Sequence, residues 1–207
     1  VFSESARPSL RSRSRSMVRL FVESVPPVYL CCDTLLTAAD IASAVRFQNE
    51  ARRNEHLAWR RVVRRELGRG ISISYNEVGA PEVDTPNTHI SVAHGAGCVA
   101  VAISDQRVGI DIESRERDFA RASSRYMSEH EAQLSTKEWW PAAVWTAKEA
   151  LYKLFGRRGV ELRDDLKIVA YNADSKQITA QLPDNIMAIV DIELYDESII
   201  VATAYFN

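Results

Sequence analysis

The end of the sequence restricts the fold most strongly. Four short runs with the composition of β-strands follow one another there, separated by turn residues: LKIVAY, QITAQL, AIVDIELY and IIVATAYF. Strands this close together in the sequence are predicted to form an antiparallel meander. Three further strands are predicted within HISVAHGAGCVAVAISDQRVGIDIE, and two more near the start, VRLFVE and VYLCC.

Helical patterns separate these groups of strands. A basic amphipathic helix is predicted over RRNEHLAWRRVVRREL, ended by Gly68 and Gly70. A second long helix covers WWPAAVWTAKEALYKLFG, where Pro141 suits the first turn and Gly156 the end. Thr37 can cap a shorter helix over AADIASAVRF. The chain is therefore predicted to be an α+β protein.

The two long helices are weakly similar in sequence. RRVVRRELG from Arg60 aligns without a gap with KEALYKLFG from Lys148, and a β region follows each helix. The alignment favours two similar α+β halves related by pseudo-twofold symmetry, although nine positions can also agree by coincidence. We place the N-terminal half at residues 17–105 and the C-terminal half at residues 106–207.

Residues 1–16, VFSESARPSLRSRSRS, alternate arginine with serine and lack the apolar segment of a secretory signal. We expect a disordered tail or residues foreign to the native protein, with Met17 as a candidate native start. An arm that contacts RNA is the alternative.

Composition narrows the class of protein. The 207 residues have a formal net charge of −2, which gives no overall attraction to nucleic acid or to an anionic membrane. No apolar run approaches the roughly 18–20 residues of a membrane span. Cys31, Cys32 and Cys98 cannot all pair and lack metal-ligand spacing with histidine. We expect a soluble, cytoplasmic protein with reduced cysteines.

The run VGIDIE places Asp111 and Glu113 on one face of a strand, with Ile110 and Ile112 on the other. Two carboxylates this close repel one another unless a cation lies between them, and Mg²⁺ accepts such ligands. A solvated strand face is the alternative. The second long helix adds Glu149 and places it with Trp145, Tyr152 and Lys153 on the face opposite its apolar stripe. That face is predicted to border a cleft, although an ordinary Glu149–Lys153 pair is the simpler interpretation.

VGIDIE together with WTAKEALYK resembles the two-part motif of the 4′-phosphopantetheinyl transferase superfamily. The arginine helix, the HISVAHGAGCVAVAIS hairpin and the YMSEHE segment extend the likeness. The length resembles that of the larger, surfactin-synthetase-activating type, which is a single chain of two similar halves. That type implies a monomer with the active site between its halves.

The resemblance implies an enzyme, a holo-carrier-protein synthase. It would transfer the 4′-phosphopantetheine arm of coenzyme A to a serine of an apo acyl or peptidyl carrier protein and release adenosine 3′,5′-bisphosphate. Its cofactor would be Mg²⁺, with no nucleic acid or membrane as partner. The implied metal ligands are Asp111, Glu113 and Glu149.

The remaining implied residues bind phosphate or act on the serine. Lys153 and Lys148 would reach phosphate oxygens, and Glu131 would deprotonate the serine, unless it is an ordinary surface carboxylate. Arg60 and His94 would contact the coenzyme, although many of the seven arginines between Arg46 and Arg65 can also be simply solvated.

The sequence departs from the family pattern in two places. Ala80 stands where many relatives have the lysine of G-K-P, and Ala93 replaces a serine before the histidine. These changes are expected to affect the affinity for coenzyme A. Another arginine, such as Arg53, is a candidate to compensate for the missing lysine.

Three other functions are compatible with the sequence. A basic-helix nucleic-acid-binding protein explains the arginines but not the three carboxylates. A carrier-protein-binding relative without activity and a generic Mg²⁺ phosphatase are the other two. The sequence does not say which carrier protein is modified.

Overall fold

The computed structural model describes residues 9–13, 16–26, 33–195 and 197–207. The strands are β1 (Ser9–Arg13), β2 (Ser16–Ser24), β3 (Ile73–Tyr75), β4 (Pro81–Val83), β5 (His89–Gly95), β6 (Cys98–Ser104), β7 (Val108–Ser114), β8 (Lys167–Asn172), β9 (Gln177–Gln181), β10 (Met187–Tyr195) and β11 (Ile199–Phe206). The helices are α1 (Ala38–Val45), α2 (Glu50–Leu67), α3 (Glu129–Gln133) and α4 (Trp140–Phe155), with 3₁₀ turns at Ala120–Arg125 and Pro183–Asn185. The α+β class is as predicted.

The first sheet has the strand order β1-β2-β6-β5, and every pairing in it is antiparallel. Helix α2 packs on one face through a core that includes Trp59, Val62 and Val101. The predicted β5–β6 hairpin is present, with its turn at Ala96 and Gly97, both at positive φ.

Strand β1 differs from the predicted tail over residues 1–16. Ser9–Arg13 pairs with Ser16–Leu20 of β2. The backbone of an edge strand presents unpaired hydrogen-bonding groups, and a neighbouring extended segment can satisfy them whatever its side chains are. Tail composition alone does not capture this pairing.

The second sheet has the order β7-β11-β10-β9-β8 and is also antiparallel. Its last four strands are the predicted meander. Helix α4 covers one face with the predicted stripe of apolar residues, all of them buried: Ala143, Val144, Ala147, Ala150, Leu151 and Leu154.

The two sheets share a core where β7 and β11 meet the first sheet. Leu20, Ala100 and Ala102 pack there with Ile110 and Val201. Both sheets are therefore held by one continuous set of buried side chains.

Two glycines permit the closest approaches around β7. A Cβ at Gly109 would overlap the carbonyl oxygen of Ala150 in α4, and one at Gly95 would overlap the carbonyl oxygen of Ile112. The glycine of VGIDIE thus lets the strand lie directly against α4, which sets the distance between the strand carboxylates and the helix.

Most predicted helix ends are confirmed. The Thr37 side chain caps α1, Gly68 follows α2, and Gly156 ends α4 in the left-handed conformation. The VYLCC strand, with Cys31 and Cys32, lies outside the described residues, and the pseudo-twofold relation between the halves stays a prediction. None of the helices formed by the described residues has the length and apolar character needed to cross a bilayer.

Candidate active site

A cleft of about 850 Å³ lies between the two halves of the chain. From the N-terminal half its walls come from α2, the β3–β4 hairpin and β5, and from the C-terminal half they come from the start of β7 and the end of α4. Its charged and histidine side chains are Arg52, Glu55, His56, Glu82, His89, His94, Arg107, Asp111, Lys153 and Arg157. Residues of both predicted halves therefore line one cleft.

Asp111 is the buried carboxylate of this cleft, with 9% of its surface exposed. The ammonium of Lys153 lies 2.8 Å from Asp111 Oδ1 and 2.8 Å from the carbonyl oxygen of Ile110. Burial raises the pKa of Asp111, and the charge of Lys153 opposes that rise. Strand β7 and helix α4 thus place one anion and one cation in direct contact at the base of the cleft.

The charge of Asp111 acts on both Glu113 and Glu149. Burial and then the charge of Asp111 raise the pKa of Glu113, and burial and then Asp111 raise that of Glu149. One oxygen of Glu113 accepts hydrogen bonds from Trp145 Nε1 and from Arg117, each at 2.9 Å. Trp145 on the polar face of α4 is therefore explained, because its indole is the partner of Glu113.

The donor set suits Mg²⁺ in its chemistry but not in the present arrangement. The charge of Asp111 raises the pKa of both Glu113 and Glu149, so a hard cation beside these carboxylates would be stabilised. Yet no group of three or more His, Cys, Asp or Glu side chains in the described part of the chain is positioned to hold a metal ion. Lys153 and Arg117 instead supply the positive charge beside Asp111 and Glu113. The metal role of Asp111, Glu113 and Glu149 stays a prediction.

Glu131 and Lys148 do not reach the cleft, which is a correction to both predicted roles. Lys148 Nζ lies 2.8 Å from Glu131 Oε1, and their side chains are 0% and 2% exposed. Glu131 also accepts from the backbone N–H groups of Ser128 and Ile168. Burial lowers the pKa of Lys148, and the bond to Glu131 opposes this. The pair joins α3, α4 and β8 inside the C-terminal half, out of reach of a substrate.

Arg60 is also buried rather than presented to a ligand. Its guanidinium donates to Asp40 at 2.8 Å, and Arg64 binds the same fully buried carboxylate. Burial acts to raise the pKa of Asp40, but the hydrogen bond from Arg64 and its other partners hold it well below the usual range. Arg60 lies behind Trp59 and Tyr75, whose rings its guanidinium contacts and which line the cleft.

His94 and Arg52 lie together on the wall of the cleft. The guanidinium of Arg52 lies 2.8 Å from His94 Nε2 and forms an ion pair with Glu55 at 3.0 Å. Burial lowers the pKa of His94. A neutral imidazole can accept a hydrogen bond from Arg52, so the two side chains form one polar group.

The structure places Arg52 in the cleft, and not the predicted Arg53. Arg53 instead donates to the carbonyl oxygens of Phe47 and Gln48, at 2.8 and 3.1 Å. Arg107 and Arg157 also line the cleft and were not predicted to do so. Consecutive residues of a helix point about 100° apart, so only the position of the cleft decides which arginine enters it. For Arg107, its place directly before the VGIDIE strand was an available signal.

Residues 107–204 match a family model described as the 4′-phosphopantetheinyl transferase superfamily. The matched range contains β7, α4 and the three acidic residues of the predicted metal site. A comparison with curated proteins finds no match. The family match supports a transferase of the phosphopantetheine type.

Proposed function

We propose that this protein transfers the 4′-phosphopantetheine arm of coenzyme A to a serine of an apo acyl or peptidyl carrier protein. The serine oxygen forms a bond to the β-phosphorus, the bond from that phosphorus to the bridging oxygen breaks, and adenosine 3′,5′-bisphosphate leaves. The serine proton is released. The observation that supports this proposal is that β7 and α4, within the family-matched region, bring Asp111 and Lys153 to a cleft that is lined by residues of both halves.

The roles of Lys153, Arg52, His94 and the three carboxylates follow from their charges and hydrogen-bonding groups. Lys153 would neutralise an oxygen of the pyrophosphate, for which its contact with Asp111 holds it in place. Arg52 and His94 would donate to a phosphate from the opposite wall. Asp111, Glu113 and Glu149 would hold Mg²⁺, which supplies charge neutralisation at the transferring phosphoryl group.

Gathering these groups between two halves of one chain also favours a monomer, since no second copy is needed to complete the cleft. A carrier protein with its serine amid acidic residues would meet a cleft whose four arginine and lysine side chains outnumber its three acidic ones.

The direct test is mass spectrometry of apo acyl and peptidyl carrier proteins incubated with the protein, coenzyme A and Mg²⁺. The carrier should gain the phosphopantetheine arm on serine, and Asp111→Asn should abolish the gain while the variant remains folded. Release of inorganic phosphate without carrier modification would identify a phosphatase. Binding of carriers or nucleic acid without any transfer would identify a binding protein, and near-normal transfer by Asp111→Asn would remove the metal assignment.

A further inference from the structure

The side chain of Arg107 lies against the C-terminal end of helix α4. It directly precedes β7 and lines the cleft. Its guanidinium lies against Gly156, where a Cβ would overlap it. The glycine that ends α4 in the left-handed conformation therefore also leaves the space that the guanidinium occupies.

The other arginines and lysine of the cleft wall are neutralised, whereas Arg107 is not. Arg52 pairs with Glu55, Lys153 with Asp111, and Arg157 with Asp184. Within the part of the chain that the structure describes, the Arg107 side chain has no hydrogen bond or ion pair. It is thus the cleft cation whose charge is available to a ligand.

The β3–β4 turn of the cleft supplies no cation of its own. The β3–β4 turn, Asn76–Pro81, has the sequence NEVGAP, which contains one acid and no base, and every residue of it except Glu77 lines the cleft. The cations that face this turn come from the C-terminal half: Arg158 donates to the carbonyl oxygen of Glu77 at 2.7 Å, and Arg107 and Arg157 line the same cleft.

We propose that Arg107 binds a phosphate group of the coenzyme, an inference that rests on the proposed transferase function. A guanidinium can donate two parallel hydrogen bonds to phosphate oxygens. Arg107 lies four residues before Asp111, about 13 Å along an extended strand. The phosphate that it contacts is either the 3′-phosphate or the pyrophosphate.

The test is isothermal titration of the full chain with coenzyme A and with 3′-dephospho-coenzyme A. The variants are Arg107→Gln, Arg107→Lys and a matched control, Arg125→Gln, which removes the same charge from an exposed arginine outside the cleft. We expect Arg107→Gln to weaken coenzyme A binding about tenfold or more. The affinity of Arg107→Lys for coenzyme A should lie between those of Arg107→Gln and wild type. The affinity of Arg125→Gln should stay within about twofold of wild type.

The two ligands identify which phosphate is bound. If the effect of Arg107→Gln disappears with 3′-dephospho-coenzyme A, Arg107 contacts the 3′-phosphate; if it persists, Arg107 contacts the pyrophosphate. Equal coenzyme A affinity for Arg107→Gln and wild type would overturn the inference and leave the proposed function standing. No binding of coenzyme A by wild type would overturn both.

Discussion

At the scale of single residues, the Lys148–Glu131 pair has a structural role that charge alone does not reveal. Both side chains are buried, and each neutralises the other. Removing one partner leaves a buried charge, whereas removing both removes the need for compensation. This asymmetry distinguishes a structural pair from a catalytic one.

We therefore expect Glu131→Gln to lower the free energy of unfolding by about 3–5 kcal/mol, because the Lys148 ammonium stays buried without a counter-charge. Adding Lys148→Met should restore much of that loss. Urea denaturation measures both effects.

The rate of phosphopantetheine transfer by the folded Glu131→Gln protein distinguishes a structural role from a catalytic one. Loss of a general base lowers the rate by about 10²–10⁴-fold, so a structural role predicts a much smaller change in kcat. A variant with wild-type stability and a hundredfold lower kcat would instead restore Glu131 as the base.

His56 makes stability depend on pH. Burial, followed by the charges of Arg60 and Arg46, lowers the pKa of His56 from 6.5 to about 4, against the opposing charge of Asp40. Between these values the unfolded state binds a proton that the folded state does not, so the contribution of His56 to stability falls as the pH falls. Below pH 4 the loss is complete, about 3 kcal/mol at most.

The comparison of wild type with His56→Gln isolates this effect. Unfolding free energies measured from pH 7 to pH 4 should fall less steeply for His56→Gln than for wild type. His89→Gln, at an exposed histidine, should keep the wild-type slope. Parallel curves for wild type and His56→Gln would contradict the assignment.

The sequence predicts a site residue correctly where the orientation of its side chain depends only on the local geometry of a strand or helix. Alternation along β7 places Asp111 and Glu113 away from Ile110, and helical spacing places Lys153 one turn after Glu149. Lys148 could not be predicted, because its burial depends on α3 and β8, which reach it only through tertiary packing.

At the scale of elements, β7 and α4 are held at a distance set by Gly109. A Cβ there would overlap the Ala150 carbonyl oxygen and lie 2.7 Å from the backbone nitrogen of Leu154. Backbone atoms of a buried helix cannot move aside like the end of a flexible side chain. The contact between Asp111 and Lys153 depends on this packing, since one residue belongs to each element.

Gly109→Ala should therefore lower the free energy of unfolding by about 3 kcal/mol or more and also weaken coenzyme A binding. Urea denaturation and titration measure the two effects. Gly70→Ala is the control, because nothing lies within 4 Å of a Cβ at Gly70 and no positive φ is required there. Equal stability of the two variants would show that β7 and α4 tolerate a wider spacing.

The sequence predicts the helices and strands more completely than it predicts the residues of the site. Both long helices, the β5–β6 hairpin and the final meander depend on periodicity and turn residues, which are local. The tail composition of residues 9–13 gave no sign of β1, because its pairing uses only backbone groups of β2.

At the scale of the whole molecule, the two halves are joined by a common core and by a common cleft. Residues of β2 and β6 pack with those of β7 and β11, and the cleft takes side chains from both halves. The aligned helices α2 and α4 differ at the position that supplies a predicted metal ligand in α4. Arg61 stands where α4 has Glu149, and it pairs with Asp33 at 2.6 Å.

One coenzyme A should consequently bind per chain, and Mg²⁺ should strengthen its binding, because only the C-terminal half supplies the acidic cluster. Thermal unfolding should be a single transition, stabilised by about 2.7 kcal/mol when free coenzyme is 100 times its Kd. Titration calorimetry gives the stoichiometry, and scanning calorimetry with and without ligand gives the transition. Two bound molecules per chain, or two transitions of which the ligand shifts only one, would mean that each half forms its own site and that the cleft between them is not the site of binding.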